Sequence, residues 1–366
     1  KRRTLLSLSI IIISTAVLFV TFGFIDEGYD TMEKIEIKQQ GHFQIASKGF
    51  WDLDITERKI LNQNDIKTIE KILNNHKDVK YYTNIIGISG MLRTKNDSTP
   101  VFGQGIELDS DHELDIISGK ALSIGDRDRI LLGKGVKEIL NVEVGDRLSL
   151  FTTTLEGAFS VRSLEVIGSI STISSDMDNV IIVLPLEFAQ EILNIKGVDN
   201  YKVTLRDKAP TREVMKQLNS DFKEMGLIVE LKHWLDLAET YHDRKALMDM
   251  IVFFLTIIIL VLIFFCILEI MTMSFFERMN EIGTIRAIGS SRRQVFSLLF
   301  KEAILLGVIG GIAGIIFGYA LGIIINTLNI TYITPGVSEE VPVIINIAIE
   351  NGIIPFSLVV FSTSVS

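Results

Sequence analysis

Few side chains in this sequence could do chemistry, and none belongs to a recognisable catalytic set. Four acids alternate in the run Asp109, Asp111, Glu113 and Asp115, a spacing typical of calcium loops. A calcium loop needs glycine at its sixth position, where Leu114 stands. The run therefore favours a solvated acidic edge over a metal site.

The other motifs of catalysis and nucleotide binding are missing from the sequence. The five histidines form no H-x-x-x-H pair, which favours surface or packing roles over zinc ligation. Gly133-Lys134-Gly135 lacks the spacing and the hydroxyl of a phosphate-binding loop, and no G-x-x-x-x-G-K-[ST] occurs. Gly87-Ile88-Ser89-Gly90 is one residue short of the nucleophile motif G-x-S-x-G. We therefore expect no catalytic site, metal or cofactor in this chain.

The most informative polar segment is a charged run over residues 277–293, between two apolar runs. Its spacing predicts a short amphipathic helix with Ile282, Ile285, Ala287 and Ile288 on one side. Gly289 is placed to end this helix in the left-handed conformation. Ser291 and Gln294 fit a capping box for the next helix. This pattern predicts a docking element at the membrane surface, with the candidate residues Glu277, Arg278, Glu281, Ile282, Gly283, Arg286, Ala287, Ile288 and Gly289.

Four apolar runs in the sequence are candidate membrane spans, and the charged segment lies between the second and the third. Residues 5–24 are long enough to cross a bilayer, and the basic residues 1–3 before them predict a cytoplasmic N-terminus. A cleaved signal peptide is disfavoured because the run is long and no A-x-A-like site follows. Residues 250–273 and 295–328 form the second and third runs, and residues 353–365 begin a fourth.

The loops between these runs differ in charge. The 274–294 loop is rich in arginine, whereas the 329–352 loop has three glutamates and no Lys or Arg. The two loops therefore lie on opposite sides, the basic one in the cytoplasm. The sequence begins without methionine and stops inside the fourth run. We expect both ends to be cut and both complete termini to be cytoplasmic.

The third run carries glycine every four residues, which places a smooth stripe on one helix face. Packing within one four-helix subunit is the favoured interpretation, and packing across a subunit pair is the alternative. Glu269, near the inner end of the second run, is interpreted as an acid that reaches interfacial water. The stripe consists of Gly310, Gly314, Gly318 and Gly322.

Residues 26–246 read as a soluble acidic domain on the outer side. They hold 28 Lys and Arg against 37 Asp and Glu, which argues against nucleic acid as a partner. The single cysteine, Cys266, lies in an apolar run, so no intrachain disulfide can form.

The pattern of this domain predicts mixed α and β structure. Two strand–helix–strand units are expected to pair into one sheet, split by a mostly-β insertion at about residues 107–197. The cap of the first helix is assigned to Asn64. Strands are predicted at residues 35–45, 81–89, 101–106, 130–132, 147–151, 164–170, 180–184, 201–205 and 227–231, and helices at 64–73, 133–140, 186–195 and 211–225.

These segments together resemble a known family. The run E-R-x-x-E-I-G-x-x-R-A-I-G at residues 277–289, followed by Arg292-Arg293 and Glu302, resembles the permease subunits of the MacB/FtsX class of ABC transporters. L-N-V-E-V-G-D at 140–146 and V-I-G-S-I at 166–170 are similar to that family's small β subdomain. G-H-F-Q-I at 41–45 is similar to the lipoprotein-releasing branch, and the resemblance covers nearly all of the chain.

The resemblance implies a membrane protein with four transmembrane helices and a large α+β extracytoplasmic domain, whose porter-like sheet of split βαβ units carries an inserted mostly-β subdomain. Residues 26–246 would be the MacB-like periplasmic core domain and residues 247–366 the FtsX-like permease domain. The spans would be 1–25, 247–273, 295–328 and 353–366, with a coupling helix in the loop 274–294 and an outer loop at 329–352.

The same resemblance implies partners and location. Two such permeases, identical or homologous, would bind a cytoplasmic ATPase dimer, which holds the ATP and Mg, in a bacterial inner membrane. The substrate would be a lipoprotein taken from the outer leaflet. The 152–163 stretch is short where the family's chaperone-binding member has a long hairpin, so the resemblance does not extend to direct chaperone contact, and that question stays open.

Other functions stay open at this point. A MacB-type exporter of drugs, peptides or toxins has the same layout. An FtsX-like regulator of cell-wall hydrolases usually has a much smaller outer domain. A two-span sensor would carry a cytoplasmic output domain where this chain crosses back after about 20 residues. An enzyme fits least, because no catalytic constellation is present.

Overall fold

The computed structural model describes residues 2–52, 59–107, 114–123, 125–172, 175–207, 209–277, 279–333 and 340–365. The chain divides into two compact units. The helical unit comprises residues 1–33, 240–332 and 341–366, and the sheet unit comprises residues 34–239 and 333–340.

The helices are long at the two ends of the chain and short in its middle. A 3-10 helix, Ile349–Gly352, precedes the last of them. In chain order they are α1 (Arg2–Gln40), α2 (Gln63–Asn75), α3 (Lys134–Leu140), α4 (Ser175–Asp178), α5 (Leu186–Leu193), α6 (Thr211–Glu224), α7 (Trp234–Leu237), α8 (Glu239–Glu277), α9 (Met279–Ala287), α10 (Arg292–Thr327) and α11 (Ile353–Val365).

The strands fall almost entirely between α1 and α7. They are β1 (Phe43–Ser47), β2 (Leu61–Asn62), β3 (Val79–Arg93), β4 (Ser98–Ile106), β5 (Ile116–Gly119), β6 (Arg129–Gly133), β7 (Arg147–Thr153), β8 (Phe159–Ile170), β9 (Ile181–Pro185), β10 (Gly197–Val198), β11 (Asn200–Leu205), β12 (Val229–His233), β13 (Thr331–Ile333) and β14 (Glu340–Pro342).

Three helices in the described residues are long and apolar enough to cross a membrane. The qualifying segments are Leu8–Gln40, Tyr241–Phe265 and Arg292–Thr327. At about 1.5 Å per residue, α10 alone is about 54 Å long, well beyond the ~30 Å hydrocarbon core. The fourth predicted span is represented by the shorter apolar helix Ile349–Ser364.

The first predicted strand, at residues 35–45, is half wrong. Residues 35–40 continue α1, and β1 starts only at Phe43. Extending a helix that has already formed adds one hydrogen bond for each residue fixed, so the local alternation is overridden. Gly41 ends α1 with a φ of 74°, and its N–H donates to the carbonyl of Ile37 at 2.8 Å.

The sheet unit is built around a ten-stranded sheet. Its first four strands have the order β12-β1-β11-β3, and each pairs antiparallel with its neighbour. This quartet brings together the two expected strand–helix–strand units, β1-α2-β3 and β11-α6-β12. One core fills the space between the quartet and its two helices, and it includes Ile69, Tyr201, Leu218 and Phe222.

The predicted insertion does not form a sheet of its own. The 15-residue strand β3 pairs with β11 through its first half and with β7 through its second half, and β4 pairs with β3 along most of the length. Strands β5, β6, β8 and β9 extend the same sheet. A second core, which includes Ile86, Leu132, Leu150 and Leu184, supports this part.

Two local predictions need correction. The cap of α2 is Asn62 rather than Asn64, since the Asn62 side chain accepts from the N–H groups of Asn64 and Asp65 at 2.9 and 3.0 Å. Strand β5 was not predicted, because it has four residues and its described pairing is with β8, which is distant in the sequence.

Candidate functional site

The turn between the second and third long helices is defined by its backbone hydrogen bonds. α9 ends at Ala287, after which Gly289 adopts a φ of 112°. The Ser290 N–H donates to the Ile285 carbonyl at 3.3 Å, and the Gly289 N–H donates to the Arg286 carbonyl at 3.1 Å. These two bonds make a Schellman motif, which satisfies carbonyls that the helix end leaves open. The predicted glycine stop is present.

The restart after this stop is also as predicted. The Gln294 N–H donates to the Ser291 hydroxyl at 3.3 Å, and the Ser291 N–H donates to the Gln294 side-chain oxygen at 2.8 Å. This reciprocal pair is the capping box of α10. Together the two motifs fix a sharp bend between α9 and α10.

The side chains on α9 do not form one clean apolar face, so that part of the prediction is wrong. At about 100° per residue, Arg286 lies within about 40° of Ile282, whereas Ala287 lies about 140° away. Ile288 lies beyond the last helical residue. None of the residues in α9 is buried, and Ile288 is 83% exposed.

The charged side chains near this bend have no partner inside the described part of the chain. Glu281, Arg286, Arg292 and Arg293 are exposed and make no ion pair or side-chain hydrogen bond with any described residue. Arg278 lies outside the described residues, and nothing is described for the side chain of Glu277. The bend thus presents unpaired charges of both signs beside an exposed isoleucine.

Sequence reasoning missed the aromatic residues that flank this bend. Phe296 and Phe300 stack on α10 with ring centroids 6.2 Å apart, and both are exposed. Phe276 near the end of α8 is exposed too. The i, i+4 spacing of the two stacked rings at the start of α10 was the available signal.

The glycine stripe of α10 packs against α1 within the helical unit. Ile11, Thr15 and Phe19 of α1 are fully buried and recur every four residues, like the glycines that face them. A Cβ on Gly318 would lie 3.0 Å from Phe19, and one on Gly310 would lie 2.5 Å from Ile11. Three of the four stripe glycines, Gly310, Gly314 and Gly318, thus face α1 within the helical unit.

The remaining glycines of α10 meet other segments of the helical unit. A Cβ on Gly311 would lie 2.8 Å from Phe356, and one on Gly307 would collide with Thr363, both on α11. A Cβ on Gly322 would lie 2.8 Å from Ile347. Small residues thus let α10 approach two neighbours closely, which gives dispersion contacts in lipid.

The outward face of α8 stays open. It carries Leu262, Phe265, Glu269 and Met273, all exposed. Glu269 makes no hydrogen bond or ion pair with a described residue. A carboxylate in a membrane helix is costly unless it meets a polar group or water. The described part of the chain does not cover this face.

The other candidate groups behave as ordinary structural residues. Nδ1 of His42 accepts from the Leu205 N–H at 3.1 Å, and burial lowers the pKa of this histidine. His233 caps α7, accepting from the Leu235 N–H at 3.1 Å. No metal-ligating group of three or more side chains occurs among the described residues. Of the acidic run, residues 109–113 lie outside the described ranges, and Asp115 pairs with Lys38 at 2.7 Å.

Two family models match the chain. The MacB-like periplasmic core domain matches residues 4–221, and the FtsX-like permease C-terminal domain matches residues 253–365. The chain belongs to the MacB/FtsX class of permeases. It is accordingly a multi-pass membrane protein of the inner-membrane type, with a periplasmic-type domain on the extracytoplasmic side.

Curated relatives of this MacB/FtsX-class chain include members with different names. An uncharacterized ABC transporter permease of Methanocaldococcus jannaschii is 24% identical over 61% of this chain and 55% of its own length. The lipoprotein-releasing system transmembrane protein LolE of Haemophilus influenzae is 20% identical over 74% of this chain and 66% of its own. The macrolide export ATP-binding/permease protein MacB of Bdellovibrio bacteriovorus is 21% identical over 73% of this chain and 42% of its own length. The chain thus spans about two fifths to two thirds of the length of these relatives.

Proposed function

We propose that this chain is the non-catalytic permease subunit of an ABC transporter, driven by a cytoplasmic ATPase dimer that binds ATP and Mg. The observation that carries the proposal is the bend at α9: a Schellman stop and a capping box hold unpaired charges and an exposed isoleucine in one place. A rigid exposed element of this kind fits a groove on a partner, where its charges set orientation more than affinity. Glu277, Arg278, Glu281, Ile282, Gly283, Arg286, Ala287, Ile288 and Gly289 are the proposed contact segment.

A matched pair of exposed isoleucines tests this contact. Ile288 is 83% exposed beside the bend, and Ile349 is 82% exposed in the 329–352 loop. In a Cys266→Ser background, Ile288→Cys carrying a short thiol–amine crosslinker is expected to capture the ATPase, and Ile349→Cys is not. Equal capture at both sites, or capture at neither, contradicts the proposed docking.

A second permease subunit, identical or homologous, is proposed for the open face of α8. The exposed apolar side chains and the unpartnered Glu269 support it, since a facing helix would bury both. Cysteines at Leu262 or Phe265 are expected to form disulfides between copies, and a cysteine at the buried Ile263 on the other side is not.

For the substrate we propose a lipoprotein released from the inner membrane, with export of a drug, peptide or toxin as the alternative. Relatives carry both kinds of name, so the assignment depends on a direct comparison. The turn of the β7–β8 hairpin spans only residues 154–158, so the proposal includes no chaperone contact at this turn. The reconstituted complex should hydrolyse ATP faster with an acylated lipoprotein and not with a macrolide; the reverse result favours the exporter.

A further inference from the structure

A cavity of about 210 Å³ opens on the face of the sheet opposite α2 and α6. The aliphatic part of its wall includes Ile85 of β3, Ile106 of β4, and Ile181 and Val183 of β9, and polar side chains form much of the rest. All of these residues belong to the sheet unit. The volume falls below the ~300–1,000 Å³ of sites for drug-sized ligands, so the space suits a smaller molecule.

One lysine points its charge into this apolar surrounding. Lys202 lines the cavity from the middle of β11, with Thr83 of β3 as its Cα partner on one side and Gln44 of β1 on the other. Because β11 is an interior strand, with β1 on one side and β3 on the other, the ammonium has no free sheet edge beside it. Burial lowers the pKa of Lys202 to about 8.

Gln44, the Cα partner of Lys202 on β1, has its side chain engaged elsewhere. The Gln44 side chain accepts from Asn200 at 2.5 Å and donates to the Gln40 carbonyl at 3.2 Å. Within the described part of the sheet unit, Lys202 makes no ion pair and no side-chain hydrogen bond. Lys202 is partly buried. A cation without a partner in such a surrounding is costly, and pairing with an anion removes much of that cost.

The other charged groups at the cavity neutralise each other. Lys38 and Asp115 form an ion pair at 2.7 Å, with both side chains partly exposed. The remaining polar lining consists of uncharged groups such as Gln104, Ser171 and Thr172. The single uncompensated charge of the described lining is therefore the Lys202 ammonium.

We propose that this cavity binds a small amphiphilic anion: a single carboxylate that pairs with Lys202, attached to a short alkyl chain that lies against Ile85, Ile106, Ile181 and Val183. An inorganic anion would leave the aliphatic wall exposed to water, and a neutral alkane would leave the ammonium unpaired. A fatty-acid-like ligand satisfies both surfaces. The site belongs to the sheet unit and does not depend on the proposed docking of an ATPase.

Equilibrium dialysis of the purified full chain against radiolabelled octanoate tests this site. Uptake by protein-free micelles of the same detergent is subtracted. Wild type is expected to bind one octanoate per chain, saturably and with displacement by unlabelled octanoate. Acetate and octanol, which each lack one half of the proposed ligand, should displace at least tenfold less well.

Three variants complete the test. Lys202→Met and Lys202→Gln are expected to lose the saturable binding, and Lys216→Met, which changes an exposed lysine on α6, should keep it. Elution volume on size exclusion reports folding of each variant. Uptake by wild type equal to that of empty micelles overturns the proposal, as does saturable binding that both Lys202 variants retain. Displacement by acetate or octanol as effective as by octanoate also overturns it.

Discussion

A single methyl group at Gly314 should destabilise the helical unit. A Cβ at this position would collide with Cβ of Thr15 and lie 2.8 Å from the Ile12 carbonyl oxygen. Both contacts belong to α1, and Thr15 is fully buried with its hydroxyl donating to the Ile11 carbonyl at 2.8 Å. Because a backbone oxygen cannot move aside like the end of a flexible side chain, α10 must shift away from α1.

The magnitude follows from two opposing effects. Alanine gains about 1 kcal/mol over glycine in a helix interior. Forcing extra atoms into a well-packed contact costs about 1–3 kcal/mol, and the contact with backbone places Gly314 toward the upper end. We expect Gly314→Ala to lose about 1–2 kcal/mol net, and Gly314→Leu to lose more, because its branch forces the helices further apart.

Gly283 supplies the matched control. It lies in α9, and no atom comes within 4 Å of a Cβ built on it. Gly283→Ala should therefore raise or leave unchanged the melting temperature, whereas Gly314→Ala lowers it. Thermal denaturation of the detergent-purified chain, followed by size exclusion, measures both. A Gly314→Leu variant that melts with wild type would refute the packing described for α1 and α10.

The remaining predictions concern topology and charge. In a Cys266→Ser background, cysteines at Ser47 and Thr331 should react with an impermeant maleimide in intact cells, and one at Ser290 should not; labelling of Ser290 overturns the topology. Lys202 has a folded-state pKa of about 8 against 10.5 when unfolded, so the unfolded state binds more protons between these values and stability rises with pH across that window. Lys202→Met should remove this slope and stabilise the sheet unit at pH 7. Tryptophan emission in urea at pH 7.5 and 10.5 measures this, because both tryptophans lie in the sheet unit; an unchanged slope in the variant would contradict the burial of Lys202.

Local signals with a fixed backbone geometry could be predicted from the sequence. Gly289 was placed correctly because a helix that stops and restarts within four residues needs a positive φ, which glycine adopts without steric cost. Ser291 and Gln294 were placed correctly because their reciprocal bonds depend only on their spacing. The two strand–helix–strand units could be predicted for a similar reason. In each unit the spacing of apolar residues changes locally from that of a strand to that of a helix and back.

Features that depend on tertiary contacts could not be read from the sequence. Residues 35–40 alternate like a strand, yet they extend a helix already formed. The apolar residues of α9 were assigned to one face, although Arg286 falls among them. The sequence predicts the strand that holds Lys202, but it does not show the cavity that this side chain lines, because residues from distant strands form that cavity.

The measurement that tests the central claim most directly is substrate-stimulated ATP hydrolysis by the reconstituted complex with altered bends. Gly289→Val strains a backbone with φ of 112° by about 1–3 kcal/mol while meeting no atom within 4 Å, so it disturbs the bend and nothing around it. Glu281→Arg reverses an exposed, unpaired charge. Both variants should insert and keep the sheet unit folded, yet lose most stimulated hydrolysis and co-purify poorly with the ATPase. Full stimulation and full ATPase recovery in both variants would show that the segment is only a connector.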